Sequence, residues 1–143
     1  MFEIYVEDDV LFRLTVIERL KEPEDRRFDL INCWLEIKVP CIQLQCICEL
    51  TPDEIEIFHQ NLSDFYDSLL VGTTPLPVKF KPRIGILDAE VIATIDGQGV
   101  GFNFRVCPDI EAGSELNAGI YLDQSYFPGL LAGLKEITHI DSE

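Results

Sequence analysis

Few side chains in this sequence are spaced for chemistry. Its two histidines, His59 and His139, have no cysteine, serine or aspartate at the spacing of a nucleophile–base pair, so both are expected at the surface rather than as general bases. The five cysteines are Cys33, Cys41, Cys46, Cys48 and Cys107. An odd count without regular spacing is no disulfide framework, and Cys46 with Cys48 forms only a CxC, not the CxxC common in zinc sites. Free cysteine packs as a small hydrophobe, so Cys33, Cys46 and Cys48 are expected to be buried, with all five thiols reduced and metal-free. Gly97-Gln98-Gly99-Val100-Gly101 has the look of a phosphate loop. It joins two strand patterns, however, and no Lys-Ser or Lys-Thr follows, so the helix N-terminus that would cradle a phosphate is missing and a hairpin is the better reading. No cofactor is implied.

The carboxylates say more. The 143 residues carry 26 Asp plus Glu against 11 Lys plus Arg, a net charge of −15. Such a chain repels phosphate, which argues against nucleic acid or an anionic membrane as partner and for something basic. Asp53, Glu54, Glu56, Asp64 and Asp67 fall in one helical stretch without a lysine or arginine. The first three suit a helix N-terminus, but Asp64 and Asp67 lie towards the end where the dipole opposes them, so local stability does not explain them. Asp109, Glu111 and Glu115 form a second cluster, on a loop expected over Pro108 to Ser114. These eight residues, with no compensating basic run, are the expected partner-binding surface. Trp34, Tyr66 and Tyr126 are the candidate anchors for such a partner if exposed, a core position being the alternative for Trp34.

The elements that position these groups follow from periodicity. Up to Leu50 the pattern is period two: strands over Phe2 to Val6, Leu11 to Leu20, Leu30 to Val39 and Cys41 to Leu50, the last two with Ile31, Cys33, Leu35, Ile37, Leu44, Cys46 and Cys48 on the core face. Such alternation marks a half-buried antiparallel meander. Thr51-Pro52-Asp53-Glu54 then starts a helix, with Thr51 as N-cap, Pro52 in the first turn and Glu54 closing a capping box. Ile55, Phe58, Leu62, Phe65 and Leu69 form its buried stripe, expected to pack on the sheet face of Leu35, Ile37, Leu44 and Cys46. Gly72, Pro75 and Pro77 end it. Strands resume at Val78 to Lys81, Ile84 to Ile95, Val100 to Val106 and Ala118 to Asp123, with Asp96-Gly97-Gln98-Gly99 as a tight hairpin. A closing helix runs from about Ser125 to Ile137, with Phe127, Leu130, Leu131, Leu134 and Ile137 inward. No internal repeat is visible. The expected architecture is one α+β domain over residues 1–143, an antiparallel meander sheet packed on two amphipathic helices. The acidic start is no signal peptide, and no apolar run approaches the roughly 20 residues that span a bilayer. With free thiols, this reads as a cytoplasmic chain.

The order of these elements and their sequence landmarks resemble a known family. The landmarks are the strand Cys33-Trp34-Leu35-Glu36-Ile37, the Gln- and Cys-bearing strand after it, Glu49-Leu50-Thr51-Pro52-Asp53-Glu54 into the helix, a Pro-containing strand, the Asp-Gly-Gln-Gly hairpin, and Leu122-Asp123-Gln124-Ser125-Tyr126-Phe127 opening the final helix. Over Ile31 to Ile137 the chain is similar to the WapI-type immunity proteins of bacterial polymorphic-toxin systems. The resemblance implies a cytoplasmic protein, of the kind that serves contact-dependent inhibition, which binds and silences a cognate toxin, often a nuclease, without catalysis of its own. It carries no fixed set of toxin-contacting residues. Two other classes stay open on the residues alone: a small acidic secretion chaperone or adaptor, and a small pocket enzyme with Asp88 or Glu90 as base. Fold does not decide among them, and the oligomeric state is not legible.

Overall fold

A computed structural model describes residues 1–25, 29–94 and 99–138. Alternating side chains build two antiparallel sheets of four strands, each in chain order. The first holds β1 (Phe2–Glu7), β2 (Val10–Leu20), β3 (Leu30–Val39) and β4 (Ile42–Leu50), and the helix α1 (Pro52–Leu70) follows it. The second holds β5 (Val78–Phe80), β6 (Leu87–Ala93), β7 (Val100–Asp109) and β8 (Ser114–Leu122). A short 3-10 turn, Gln124–Tyr126, then leads into α2 (Phe127–Thr138). The α+β class and its antiparallel meanders are as read from the sequence, but the strands divide into two sheets instead of one. The chain therefore repeats the order ββββα. No sequence period reveals that repeat, because strand length, turns and side chains differ between the halves.

The two sheets meet through phenylalanines. Phe12 stands edge-on to Phe102 with ring centroids 4.8 Å apart, and Phe2 lies 6.1 Å from Phe102. The buried faces of both sheets and both helices join in one hydrophobic cluster. Phe2, Ile4, Phe12 and Leu14 bury the inner face of the N-terminal hairpin, as the alternation predicts.

The first helix begins as its sequence dictates. Thr51 accepts from the Glu54 N–H at 3.3 Å while the Glu54 carboxylate accepts from the Thr51 N–H at 2.9 Å, closing the capping box. Ile55, Phe58, Leu62, Phe65 and Leu69 are all buried. Their ring contacts reach elements the sequence did not connect to this helix. Phe58 stacks on Phe80 of β5 at 4.5 Å and meets Phe2 of β1, and Phe65 stacks on Phe127 of α2 at 5.8 Å. The stripe thus packs on β5 and α2 as well as on β1, within the same hydrophobic cluster that holds Leu35 and Ile37 of β3. A helical stripe reports that a face is buried; it carries no information about what buries it.

The second half corrects several boundaries. β7 runs on to Asp109 and β8 starts at Ser114, so Pro108 and Glu115 belong to strands and the loop shrinks to the turn between them. Thr94 and Gly99 are hydrogen-bonded across the β6–β7 connection; Asp96, Gly97 and Gln98 of the expected hairpin lie outside the described residues, as does His139. α2 lies so close to the start of β1 that a Cβ on Gly133 would run into the Met1 carbonyl, which only glycine permits. The Tyr126 hydroxyl donates to the Tyr5 carbonyl at 3.3 Å along the same edge.

The cysteines are all free. Cys33 and Cys48 are buried as expected, Cys46 is only half-buried, Cys41 is exposed, and Cys107 is buried beyond what its sequence position suggested. Burial pushes the Cys33 thiol up to about 12 and raises those of Cys48 and Cys46 as well. Cys41 has φ +70° and follows Pro40 in the β3–β4 hairpin, the pattern of a type II turn, where a residue without Cβ is favoured.

Candidate functional site: an acidic helix face

The eight acidic residues singled out by sequence have different surroundings. Asp53 and Glu54 occupy the first turn of α1. Glu54 is engaged twice, in the capping box and as acceptor at 2.6 Å from the Arg83 N–H. Glu56, Asp64 and Asp67 are exposed. At 3.6 residues per turn these three and Gln60 fall within an arc of roughly 80°, opposite the buried stripe. Gln60 donates to Asp64 at 3.0 Å, which holds that carboxylate on the surface of the helix. The last turn has no basic residue to offset Asp67.

The second cluster is organised differently. One oxygen of Asp109 accepts from the N–H groups of Glu111 and Ala112, at 3.1 and 3.2 Å, so this carboxylate builds the β7–β8 turn. Glu115 accepts from Arg105 at 3.0 Å, and Arg105 also donates to Asp88 at 3.0 Å. The Asn117 amide and the Arg105 guanidinium together hold the Glu115 carboxyl below its usual range. Sequence reading took this cluster as uncompensated. Arg105 overturns that for Glu115, because β7 and β8 bring together residues that are ten apart in the chain. Glu111 is exposed on the turn.

An apolar rim completes the α1 surface, and the sequence reading missed it. Val71, at the end of the helix, is 75% exposed, and Leu76 is 86% exposed between Pro75 and Pro77. Thr73 ties this segment back to α1, its N–H and its hydroxyl both donating to the Ser68 carbonyl at 3.0 Å. A groove of about 570 Å³ runs between helix and segment, lined by Asn61, Asp64, Ser68, Thr74 and Leu76 among others. The available signal was Pro-Leu-Pro itself: two fixed φ angles around one apolar residue, after a helix stop. The expected aromatic anchors are engaged elsewhere. Tyr66 stacks on Phe127 at 5.2 Å, Tyr126 bonds the Tyr5 carbonyl, and Trp34 is half-buried between its cross-strand partners Thr15 and Ile47.

Asp88 and Glu90 line an open groove of about 510 Å³ on the outer face of the second sheet, with Lys79, Asn103, Arg105 and Asn117. Asp88 is already the acceptor of Arg105 there. Among the described residues no three His, Cys, Asp or Glu side chains converge as a metal-binding group. No described helix is long and apolar enough to cross a membrane.

Fold and surface together define a small acidic α+β protein that presents a carboxylate-bearing helix face with an apolar end. The profile of the immunity protein WapI-like family matches residues 4–140, and the chain belongs to that family. Its role by membership is that of an immunity protein, whose partner is a cognate toxin. The match takes in the N-terminal hairpin, which the resemblance seen from Ile31 to Ile137 did not. No curated protein matches the chain. Among solved structures it is similar to the plant transcriptional regulator PBF-2, at 15% identity over 96% of this chain and 86% of that one, with a TM-score of 0.48. WHY3 from Arabidopsis thaliana is comparable, at 14% identity over 98% and 87%, with a TM-score of 0.47.

Proposed function

We propose that this immunity protein neutralises a basic toxin domain, a nuclease, by covering its phosphate-binding groove with the outer face of α1, and that it does so in the cytoplasm in a fixed ratio and without a reaction of its own. One observation carries the reading: α1 turns Glu56, Asp64 and Asp67 to solvent on a helix without a single cation. A nuclease groove is positive because it holds phosphates, so a row of carboxylates on a rigid helix can occupy it by the same attraction. Charge of this kind accelerates and orients encounter; affinity needs a desolvated apolar anchor. Leu76 and Val71 are the side chains placed for that, and the prolines flanking Leu76 lower the ordering cost of binding. Asp109 and Glu115 serve the β7–β8 hairpin in this reading, and Glu111 lies outside the contact.

The test is co-expression with the C-terminal domain of the adjacent upstream open reading frame, scored as rescue of growth, followed by association kinetics on the purified pair. The expected result is protection by a stoichiometric complex whose association slows with salt. A toxin domain that kills equally with and without the protein would remove the reading.

A further inference from the structure

The first sheet ends in β4, whose outer edge pairs with no strand among the described residues. β4 pairs with β3 through nine successive residues, from Ile31 opposite Leu50 to Val39 opposite Ile42, without a register shift. Its other side has no strand partner among the described elements. Natural sheets blunt such edges with charges, prolines, bulges or short strands. Between Ile42 and Cys48 this edge has none of these: the run is Ile-Gln-Leu-Gln-Cys-Ile-Cys in a chain where 26% of residues are charged. The edges β1 and β5 are protected. α2 lies over the start of β1, with Gly133 against Met1 and Phe2, and Tyr126 of the preceding turn bonds the Tyr5 carbonyl; β5 is three residues long between Pro77 and Pro82. β8 carries the ion-paired Glu115 and has Gly119 within it.

Side-chain exposure marks the same place. On the core face, Cys48 and Leu50 are fully buried, yet Leu44 and Cys46 in line with them are only half-covered and Ile42 is 48% exposed. On the opposite face Ile47 is 50% exposed beside the half-buried Trp34. The apolar row of the core face therefore runs to the sheet edge without being fully covered.

We infer that β4 is the site of self-association, pairing antiparallel with β4 of a second copy about a two-fold axis at Gln45, so that two sheets become one of eight strands. Charge selects this occupant. A basic partner would find no carboxylate from Ile42 to Cys48, whereas a second copy, which shares the −15, needs a stretch without one. The uncharged run is centred on Gln45. With the axis there, Leu44 meets Cys46 of the second copy, Gln45 meets its own counterpart on the exposed face, and Glu49 lies opposite Cys41, far from the other Glu49. Directly opposed residues share a face in antiparallel pairing, so the half-covered Leu44 and Cys46 of each copy complete one apolar row.

Sedimentation velocity of the purified chain over roughly 1–100 µM tests this. A species of twice 16.3 kDa is expected, with β4 amides protected from hydrogen exchange. Gln45→Lys sets two like charges face to face at the axis on an exposed position, and it should raise the dimer dissociation constant at least about tenfold, with a melting temperature equal to wild type when both are measured dilute enough to be monomeric. Gln45→Ala should keep the dimer. A chain that stays monomeric throughout the range, or a dimer indifferent to Gln45→Lys, overturns the inference. Protection of β4 that appears only when the upstream toxin domain is added overturns it too, and assigns the edge to a toxin strand.

Discussion

On α1 the exposed carboxylates Glu56, Asp64 and Asp67 stand on a helix that carries no lysine or arginine, and the helix dipole near its C-terminus works against Asp64 and Asp67. At the β7–β8 turn, Asp109 accepts two backbone N–H groups and Glu115 shares Arg105 with Asp88. The two clusters look alike as composition. At the turn, Asp109 and Glu115 are tied to backbone N–H groups and to a guanidinium; on α1 the exposed carboxylates share one face of one helix, and the donor to Asp64 is the neutral amide of Gln60. A row of exposed carboxylates on one helix face, with no cation on that helix, is the surface left to meet a basic partner.

Three variants and one pH series break or sharpen that contrast. The largest effect belongs to the support of the α1 face. Phe58→Ala removes the ring that stacks on Phe80 and touches Phe2, and about 3–5 kcal/mol of stability should go with it, read as the denaturation midpoint in urea. A mutant of wild-type stability would show that α1 is peripheral to the core, and the face it displays would lose its rigidity argument.

Next comes the face itself. Asp64→Lys with Asp67→Lys should slow association with the toxin domain by roughly 10- to 100-fold, with a smaller change in dissociation, because rim charges act mainly on encounter. Stopped-flow rates at two salt concentrations decide it. If the double variant neutralises as well as wild type, the contrast reverses and the Asp109, Glu111 and Glu115 cluster becomes the contact; if both clusters can be reversed without loss, charge mimicry fails.

A smaller effect separates the acid that builds the helix from those that decorate it. Thr51→Ala breaks the capping box and should cost about 1 kcal/mol of folding stability while leaving association rates alone. A change in association with unchanged stability would place the N-terminus of α1 inside the contact.

The smallest effect is expected at Glu115. Its carboxyl is depressed in the folded chain by Asn117 and Arg105. A depressed folded value stabilises above the unfolded carboxylate range, near roughly pH 4, and that stabilisation is lost as pH falls through the folded value. Wild type should therefore melt slightly above Glu115→Gln at neutral pH and converge with it in acid, the gap narrowing in high salt because the pair is exposed. A gap that persists in acid would mean that the amide disturbs the hairpin sterically, and that Glu115 is not held by charge.

Whatever depends on neighbours in the chain was determined by the sequence alone. Thr51, Pro52 and Glu54 are within one turn of each other, so the start of α1 and its cap were legible to the residue. Alternation in β3 placed Ile31, Cys33, Leu35 and Ile37 inside, since successive side chains of a strand must point to opposite faces. The family resemblance rested on the same local landmarks. What only the tertiary structure decided involves residues far apart. Eight strands of similar pattern can form one sheet or two, because alternation says which face is covered and not by what; Phe12 against Phe102 settles it. The partner of Glu115 is set by the β7–β8 register, which puts Arg105 beside it. Ile42, Leu44 and Cys46 carry the signature of core positions and are nonetheless left partly bare, because β4 is the last strand and the sheet that should cover it ends there. Burial is a property of a neighbour's presence, and only folding brings the neighbours.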